Sequence, residues 1–309
     1  MEKFTNWRDK GTGIAPFFPV TPPLSQEKGF RSFLSNVITT LKLIVALPFL
    51  PFVYLLQFLN LSKPICTLVL KIICGWNIQT NVQGVKRRDQ GPEHMPGVGR
   101  YFFVNYSSPL DCIALWLIAK GPVTFCIPRM KGKKVTMYRL SLIEALKFAL
   151  KGSIFENETS FQIIDKVDEA KDYVTYIFPE GTTSNGKSVL PFALTQEFMD
   201  EFLGIEEGFS SSAQKPINLN LHKRKVVQTI QLKINATLTT PLPISAWNYL
   251  NRMSSQGVTF KCKINEPCTT KVDEVRTALC GGDKYSLVGK DLNVDSKTKF
   301  IKEFGNRRR

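Results

Sequence analysis

The chain has 309 residues with 41 Lys and Arg against 26 Asp and Glu, which gives a formal charge of +15. This length allows one substantial hydrophobic core, and the charge favours nucleic acid, an anionic membrane surface or a phosphate-bearing substrate as partner. The seven cysteines form no Cys-x-x-Cys pair and the two histidines have no visible metal partners, so we predict reduced thiols, a cytosolic environment and no metal site.

Residues 1–32 form a polar segment with four prolines. The segment contains no apolar core followed by a small-residue cleavage site, so we predict no secretory signal peptide. Phe4, Trp7, Phe17 and Phe18 stand among basic residues and would suit a membrane surface. A disordered segment is the alternative interpretation.

Residues 33–76 contain the most apolar part of the chain. No charged residue occurs from Leu43 to Leu61, and this stretch is long enough for a membrane-spanning helix of ~20 residues. Pro48 and Pro51 would each remove a hydrogen bond from such a helix. A second apolar stretch from Ile65 to Trp76 follows, so we predict a bent, hairpin-like insertion into a bilayer or a lipid monolayer. A buried core helix is the alternative.

Residues 77–309 alternate strand and helix patterns, which predicts an α/β domain with a mainly parallel sheet flanked by helices. The predicted strands are Tyr101–Val104, Pro122–Ile127, Ser153–Phe155, Val174–Phe178, Val226–Ile234 and Val258–Ile264. The predicted helices are Pro109–Lys120, Val135–Lys151, Phe161–Asp172, Thr195–Leu203, Val272–Leu279 and Asp295–Phe304. We expect the basic tail Arg307–Arg309 to be frayed and able to contact anionic lipid.

A strand ending at Pro179 is followed by a carboxylate, Glu180, and then by loop residues with short polar side chains. Open α/β sheets bind their ligands at the carboxyl ends of strands, so this placement is typical of a functional site. The alternative is a strand followed by an Asn-Gly turn without further function. The loop residues concerned are Gly181, Thr182, Thr183 and Ser184.

A similar polar corner, residues 105–111, follows the strand Tyr101–Val104. Here Ser108 is a good helix N-cap, Pro109 suits the first helical position, and Asp111 would complete a capping box. This structural explanation predicts the same residues without any catalysis, but it leaves the second corner unexplained.

In this order and about 70 residues apart, the two corners resemble the signatures Asn-His-x4-Asp and Phe-Pro-Glu-Gly-Thr of the glycerolipid acyltransferase family. Further stretches spread over most of the chain resemble fungal members of that family. They are FTNWRDKGTGIAPF, SSPLD, GPVT, EGT, NGKSVLPF, PLPIS, KCKINEP and GGDKYSLV.

The resemblance implies transfer of an acyl group, oleoyl in those members, from acyl-CoA as co-substrate to the free hydroxyl of lysophosphatidic acid. It also implies that the reaction needs no cofactor, metal or covalent intermediate. The implied location is the endoplasmic reticulum membrane and the lipid droplet, with the catalytic domain facing the cytosol. Acyl-CoA, a lysophospholipid and a membrane or lipid-droplet monolayer are then the partners.

The resemblance assigns catalysis to Asp111, Tyr106 and Glu180, with one departure from the family pattern. The family histidine that deprotonates the acceptor hydroxyl is replaced by Tyr106, and a phenol with a pKa of about 10 is a poor base at neutral pH. We expect Asp111 to supply the remaining base catalysis through Tyr106 or a water, and Glu180 to position the acceptor.

Two family arginines are also replaced, by Thr183 and by Glu158. A phosphate-bearing acceptor would then need other cations, and the candidates are Lys187, Arg129, Lys131, Lys133 and Lys134. A solvated basic loop is the alternative interpretation of residues 129–134. The full set of predicted substrate-binding residues is Asn105, Ser107, Ser108, Pro179, Gly181, Thr182, Thr183, Ser184, Lys187, Arg129 and Lys131.

Three other functions fit the sequence less well. The departures at Tyr106 and Glu158 would suit an acyltransferase-like adaptor of membranes or lipid droplets without catalysis, or an enzyme for another lysophospholipid. A nucleic-acid binder is suggested only by the charge, and the absence of a basic-aromatic motif together with the long apolar stretch argues against it.

Overall fold

The computed structural model describes residues 2–20, 30–49, 51, 62–132, 134–155, 161–204, 227–283 and 286–306. Its centre is one eight-stranded mixed sheet in the order β1-β8-β7-β2-β6-β3-β4-β5. The pairs β1/β8, β7/β2, β2/β6 and β6/β3 are parallel, and the other three are antiparallel. The strands are β1 Asn77–Val82, β2 Tyr101–Val104, β3 Val123–Lys131, β4 Lys134–Leu140, β5 Gln162–Ile163, β6 Val174–Ile177, β7 Gln228–Lys233 and β8 Thr259–Ile264.

Helices cover the sheet and join its strands, as the α/β prediction requires. Those in the described part of the chain are α1 Phe30–Ala46, α2 Ser62–Cys74, α3 Pro109–Ile118, α4 Leu142–Leu150, α5 Gln196–Leu203, α6 Ala246–Gln256, α7 Val272–Leu279 and α8 Val294–Asn306.

The central strands are buried on both faces. In β2, Phe102 and Val104 belong to one hydrophobic cluster, and the alternate residues Tyr101 and Phe103 belong to another. Because successive side chains of a strand point to opposite faces, the two clusters are the two layers between sheet and helices. The corners that follow β2 and β6 therefore start from fully buried strands at the centre of the sheet.

The predicted helix Val135–Lys151 is wrong in its first half. Residues 134–140 form β4, which pairs antiparallel with β3, and the helix α4 starts only after Ser141. The side chain of Ser141 accepts a hydrogen bond from the N–H of Glu144, and Glu144 completes a capping box. The alternating pattern of residues 134–140 is followed directly by the helical pattern of α4, and the two together were interpreted as one long helix.

Two further elements were predicted wrongly and two were missed. Residues 161–172 contain the edge strand β5 and a short 3-10 helix, Val167–Ala170, instead of an amphipathic helix. Residues 153–155 form a loop instead of a strand, and Ser153 has a left-handed φ of 58°. The strand β1 and the helix α6 were not predicted.

Residues 4–18 pack against α8. Phe17 is fully buried, and both Trp7 and Phe18 lie against the ring of Phe300 at centroid distances of 5.5 and 4.9 Å. The membrane-surface and disorder interpretations of these aromatic residues are therefore both wrong, because the rings lie in a cluster shared with α8.

The predicted apolar hairpin is represented by α1, the 3-10 turn Leu47–Phe49 and α2. Most of the charge-free stretch, residues 50 and 52–61, lies outside the described residues, as do Glu158 and Arg307–Arg309. Within the described ranges, no helix is both long and apolar enough to cross a membrane. All seven cysteines are unpaired thiols.

Candidate active site

The two polar corners meet at one edge of the sheet. Strands β2 and β6 are parallel neighbours, so the residues that follow them leave the sheet side by side. The N–H of Tyr106 donates to Glu180 Oε1 at 3.3 Å, and the next N–H, of Ser107, donates to Asp111 Oδ2 at 2.7 Å. Two consecutive peptide groups thus join the two carboxylates, although they are far apart in the sequence.

Asp111 is held by the start of α3. Its Oδ2 accepts hydrogen bonds from the N–H groups of Ser107 and Ser108 and from the Ser107 hydroxyl, so the predicted capping box is present. The other oxygen, Oδ1, has no hydrogen-bond partner among the described residues. Burial raises the pKa of Asp111 to about 7, and the three hydrogen bonds act in the opposite direction.

Glu180 is held by backbone groups on two sides. Its Oε1 accepts from Tyr106, and its Oε2 accepts from the N–H of Leu190 at 2.9 Å. Burial raises the pKa of Glu180 to about 8, while the two N–H groups and the positive charges of Arg276 and Lys297 lower it. A buried carboxylate with fixed donors is a pre-oriented acceptor, which is typical of a site that positions a substrate.

The side chain of Tyr106 points into the core beneath the corner. Its ring stacks on Phe178 with a centroid distance of 4.1 Å, and its hydroxyl donates to the carbonyl oxygen of Ala145 at 2.9 Å. Burial raises the pKa of this phenol well above its usual range. A phenol that is buried and bonded in this way holds the packing of the corner and is a poor proton acceptor.

We therefore expect Tyr106→Phe to retain acyl transfer within about threefold and to lose only about 1 kcal/mol of unfolding free energy, the net contribution of one hydrogen bond. The measurements are initial rates and urea unfolding of the two purified proteins. A fall in rate of a hundredfold or more without loss of folded protein would instead assign the phenol to catalysis.

The loop after Glu180 is tied down by its own hydroxyls. Thr182 Oγ1 donates to the carbonyl of Ser153 at 3.1 Å, and Thr183 Oγ1 donates to that of Thr240 at 2.7 Å. Ser184 contributes its N–H to the carbonyl of Tyr106 at 3.0 Å. These residues, predicted to bind substrate, lie together with the two carboxylates and fix the backbone around them.

Three other predicted residues make structural contacts at the same edge. Asn105 joins β2 to β7 through both the N–H and the carbonyl of Leu232, at 2.7 and 2.9 Å. Ser108 caps α3 and shares a hydrogen bond of 2.7 Å with the hydroxyl of Tyr249. The carbonyl of Pro179 accepts from the N–H of Ala193 at 2.8 Å.

The predicted cations separate into two groups. Arg129 lines a cleft of about 940 Å³ beside the loop, whereas Lys131 and Lys187 have exposed side chains and do not line it. Two of the lining residues pack against the loop at Gly181, because a Cβ added there would lie 2.9 Å from Ala193 and 3.4 Å from Val294. Its lining combines apolar side chains with charges of both signs. Phe155, Phe192 and Val294 are among the apolar residues, Arg129, Lys271, Arg276 and Lys290 are cationic, and Asp273, Glu274 and Asp295 are acidic.

Both carboxylates are covered in this structure, with 0% of Asp111 and 1% of Glu180 exposed. Residues 15–18 are bound to the end of the same loop: the amide Nδ2 of Asn185 donates to the carbonyls of Ala15 and Phe18 at 2.9 and 3.0 Å. The spacing of the two corners predicts that Asp111 and Glu180 line a common cleft that opens toward lipid. This prediction is wrong for the structure, because both carboxylates are buried and neither lines the cleft that contains Arg129.

Sequence reasoning missed Lys297, whose Nζ is buried against Thr182 and Thr183. A signal for it existed, because Lys297 stands on the apolar stripe of α8, three positions before the buried Phe300. A lysine in the apolar stripe of a helix is either anchored to acceptors or a packing fault. No comparable sequence pattern indicated Tyr249, whose hydroxyl lies next to Ser108.

Two curated fungal proteins are similar to this chain. Lysophosphatidic acid:oleoyl-CoA acyltransferase 1 of Saccharomyces cerevisiae is 38% identical over 307 residues, which cover 98% of this chain and 97% of that protein. A Schizosaccharomyces pombe protein, named provisionally for the same activity, is 29% identical over 62% of this chain and 67% of its own length. No protein-family model and no solved structure matches the chain.

Proposed function

We propose a function from one premise: the chain belongs to the family of the Saccharomyces cerevisiae lysophosphatidic acid:oleoyl-CoA acyltransferase. The protein transfers an acyl group, oleoyl by analogy with that relative, from CoA to the free hydroxyl of lysophosphatidic acid and so makes phosphatidic acid. The observation that supports this proposal is the bridging of Asp111 and Glu180 by consecutive peptide groups at one sheet edge. No cofactor is needed beyond acyl-CoA as co-substrate.

Asp111 acts as the general base in place of the family histidine. Its pKa, raised by burial to about 7, is close to the working pH, where a general base is most effective. Oδ1 accepts the proton of the acceptor hydroxyl while that oxygen attacks the thioester carbonyl carbon. The C–S bond then breaks, and Asp111 returns the proton to the thiolate of CoA.

Glu180 and its loop act by position and charge. The carboxylate keeps the Tyr106 peptide and the Leu190 peptide in place, and it accepts hydrogen bonds from the acceptor's glycerol part when the cover is displaced. Backbone N–H groups in the loop after Gly181 stabilise the oxyanion that forms on the thioester carbonyl. Holding both reactants in attack geometry can contribute several kcal/mol to catalysis.

The cleft beside Gly181 is the binding site for an anionic amphiphile. Phe155 and Phe192 offer an apolar surface to an acyl chain, and Arg129 and Lys290 offer positive charge to phosphate groups. Because both carboxylates are buried, substrate reaches Asp111 only when the cover moves, as in other enzymes that close over their reactants.

The proposed activity is tested by mixing the purified full chain with oleoyl-CoA and a panel of lysophospholipids. We expect release of free CoA and formation of phosphatidic acid in equal amounts with lysophosphatidic acid, and no release with a folded Glu180→Ala variant. Transfer to another lysophospholipid alone would correct the acceptor. No transfer to any acceptor would favour a non-catalytic membrane adaptor.

The protein works at a lipid surface, on the cytosolic side of the endoplasmic reticulum and on lipid droplets. The support is the outer face of α1, where large apolar side chains are left in solvent: Phe33 is 65%, Leu41 56% and Ile44 60% exposed. Apolar side chains concentrated on one helix face are typical of a surface that enters the headgroup region of a membrane.

Leu41→Asp combined with Ile44→Asp should therefore reduce binding to vesicles of anionic phospholipid by at least about tenfold, since two charges would enter the apolar region. The measurement is co-flotation of the purified protein with the vesicles. Ile143→Asp is the control, because Ile143 is 63% exposed but lies in the first turn of α4. Equal losses in both variants would contradict the assignment of the surface to α1.

A further inference from the structure

A buried lysine from the last described helix lies against the loop that follows Glu180. The side chain of Lys297 is fully buried, and its Nζ donates three hydrogen bonds. The acceptors are Thr182 Oγ1 at 2.9 Å, the carbonyl oxygen of Thr183 at 2.7 Å and Thr183 Oγ1 at 3.0 Å. A buried amine with three hydrogen-bond acceptors is an integral part of the loop structure.

Burial lowers the pKa of Lys297 well below the usual lysine value, whereas the nearby Glu180 carboxylate raises it. The hydrogen-bond directions assign the charged, ammonium form to this amine. Thr182 Oγ1 gives its one proton to the carbonyl of Ser153, and Thr183 Oγ1 gives its proton to the carbonyl of Thr240. Both hydroxyl oxygens therefore offer only lone pairs to Lys297, and the third acceptor is a carbonyl. Three acceptors need three N–H donors, which a lysine has only in its charged form.

Lys297 also joins two loops that the sequence separates. The hydroxyl of Thr183 accepts from Ser153 Oγ at 3.1 Å as well as from Lys297, and Thr182 reaches the Ser153 carbonyl. Ser153 adopts a left-handed φ of 58° at this contact, a backbone conformation that its surroundings must hold. The ammonium group is thus the centre of the network that shapes the Glu180 loop.

The other groups that face Glu180 do not supply this charge to the loop. Arg276 also acts on Glu180, but its guanidinium donates to the carbonyls of Val189, Leu190 and Val288 and so holds a different segment. Among the described residues, Cys280 also interacts with Glu180, and burial raises the pKa of its thiol to about 11, so it is neutral near pH 7.

We propose that Lys297 is a positioning residue for acyl transfer: its ammonium group fixes the Glu180–Thr183 loop and places a positive charge beside the Glu180 carboxylate. It thereby supplies a positive charge in place of the two family arginines, whose positions hold Thr183 and Glu158 in this chain. The inference rests on the proposed function, because its main measurement is the rate of acyl transfer.

The test is Lys297→Met, which keeps the length of the side chain and removes its charge, against Lys302→Met, an exposed lysine of the same helix. We expect kcat to fall at least about tenfold at pH 7 in the first variant, with KM within about threefold, and no change in the second. Loss of the nearby charge raises the pKa of Glu180, so the rising limb of the pH–rate profile should move to higher pH. The deficit should therefore shrink at pH 9, and Lys297→Arg should recover part of the rate.

The outcomes separate this inference from the proposed function. Absence of transfer by the wild-type chain overturns the function itself, whereas an active wild type with an unshifted pH profile in folded Lys297→Met overturns only the positioning role. A purely structural lysine would lower the melting temperature and leave kcat and the profile unchanged. Where Lys297→Met does not fold, Thr183→Val removes one acceptor without changing any charge, and the same upward shift, smaller in size, is required.

Discussion

Asp111→Asn is expected to abolish acyl transfer and to stabilise the folded protein at pH 8. The folded-state pKa of Asp111 is raised by burial from 3.8 to about 7, so the unfolded chain releases this proton at lower pH than the folded one. Stability from this group is complete below about pH 4 and is lost as the pH rises to about 7. Asparagine does not titrate and keeps an oxygen for Ser107 and Ser108, so it avoids a loss of up to ~4 kcal/mol.

Urea unfolding at pH 5 and pH 8, together with initial rates, measures both effects. The gain of Asp111→Asn over the wild type should be larger at pH 8 than at pH 5. Asp172→Asn, at an exposed position, is the control and should change neither quantity. A variant that retains the wild-type rate would show that another group is the base.

Gly181→Ala should cost at least about 3 kcal/mol of unfolding free energy and remove activity. The residue has a φ of 67°, and an added Cβ would lie 2.7 Å from the carbonyl oxygen of Pro128 and 2.9 Å from Ala193. Pro128 is in the middle of β3, whose backbone cannot retreat without breaking the sheet. The cost therefore combines left-handed strain with a steric clash.

Gly75→Ala separates these two contributions. Gly75 has a φ of 61°, close to that of Gly181, but an added Cβ would meet no atom within 4 Å. We expect this control to lose only ~1 kcal/mol, the cost of the left-handed conformation alone, and to keep its activity. Equal melting-temperature losses in the two variants would contradict the proposed contact with β3.

The sequence was sufficient for the centre of the fold because β2 and β6 are short, consist of aromatic and β-branched residues, and are followed by polar corners. β2 and β6 were predicted within a residue, and so was the order of the two corners. The edge of the sheet was not predicted. The alternation of apolar and polar residues in β4 continues into the helical pattern of α4 without a break in apolar residues. Periodicity alone does not mark that boundary.

The sequence predicted which residues form the site better than it predicted what each of them does. Spacing placed Tyr106 in the corner, but the direction of its ring depends on the stacking partner Phe178 and on the carbonyl of Ala145, contacts that no local pattern contains. The same holds for Lys297, whose acceptors are more than a hundred residues earlier in the chain. Tertiary contacts of this kind decide whether a polar residue is catalytic, structural or both.

The packing of Lys297 from α8 against the Glu180 loop has a consequence for biosynthesis. α8 is the most downstream of the described elements, and it brings the Lys297 ammonium group to the loop that holds Glu180. The N-terminal parts of a chain leave the ribosome first, so strands β1–β8 are all translated before the loop receives this group. We expect a nascent chain that lacks α8 to transfer acyl groups more slowly than the full chain, and the full rate to be reached only after translation has passed this helix.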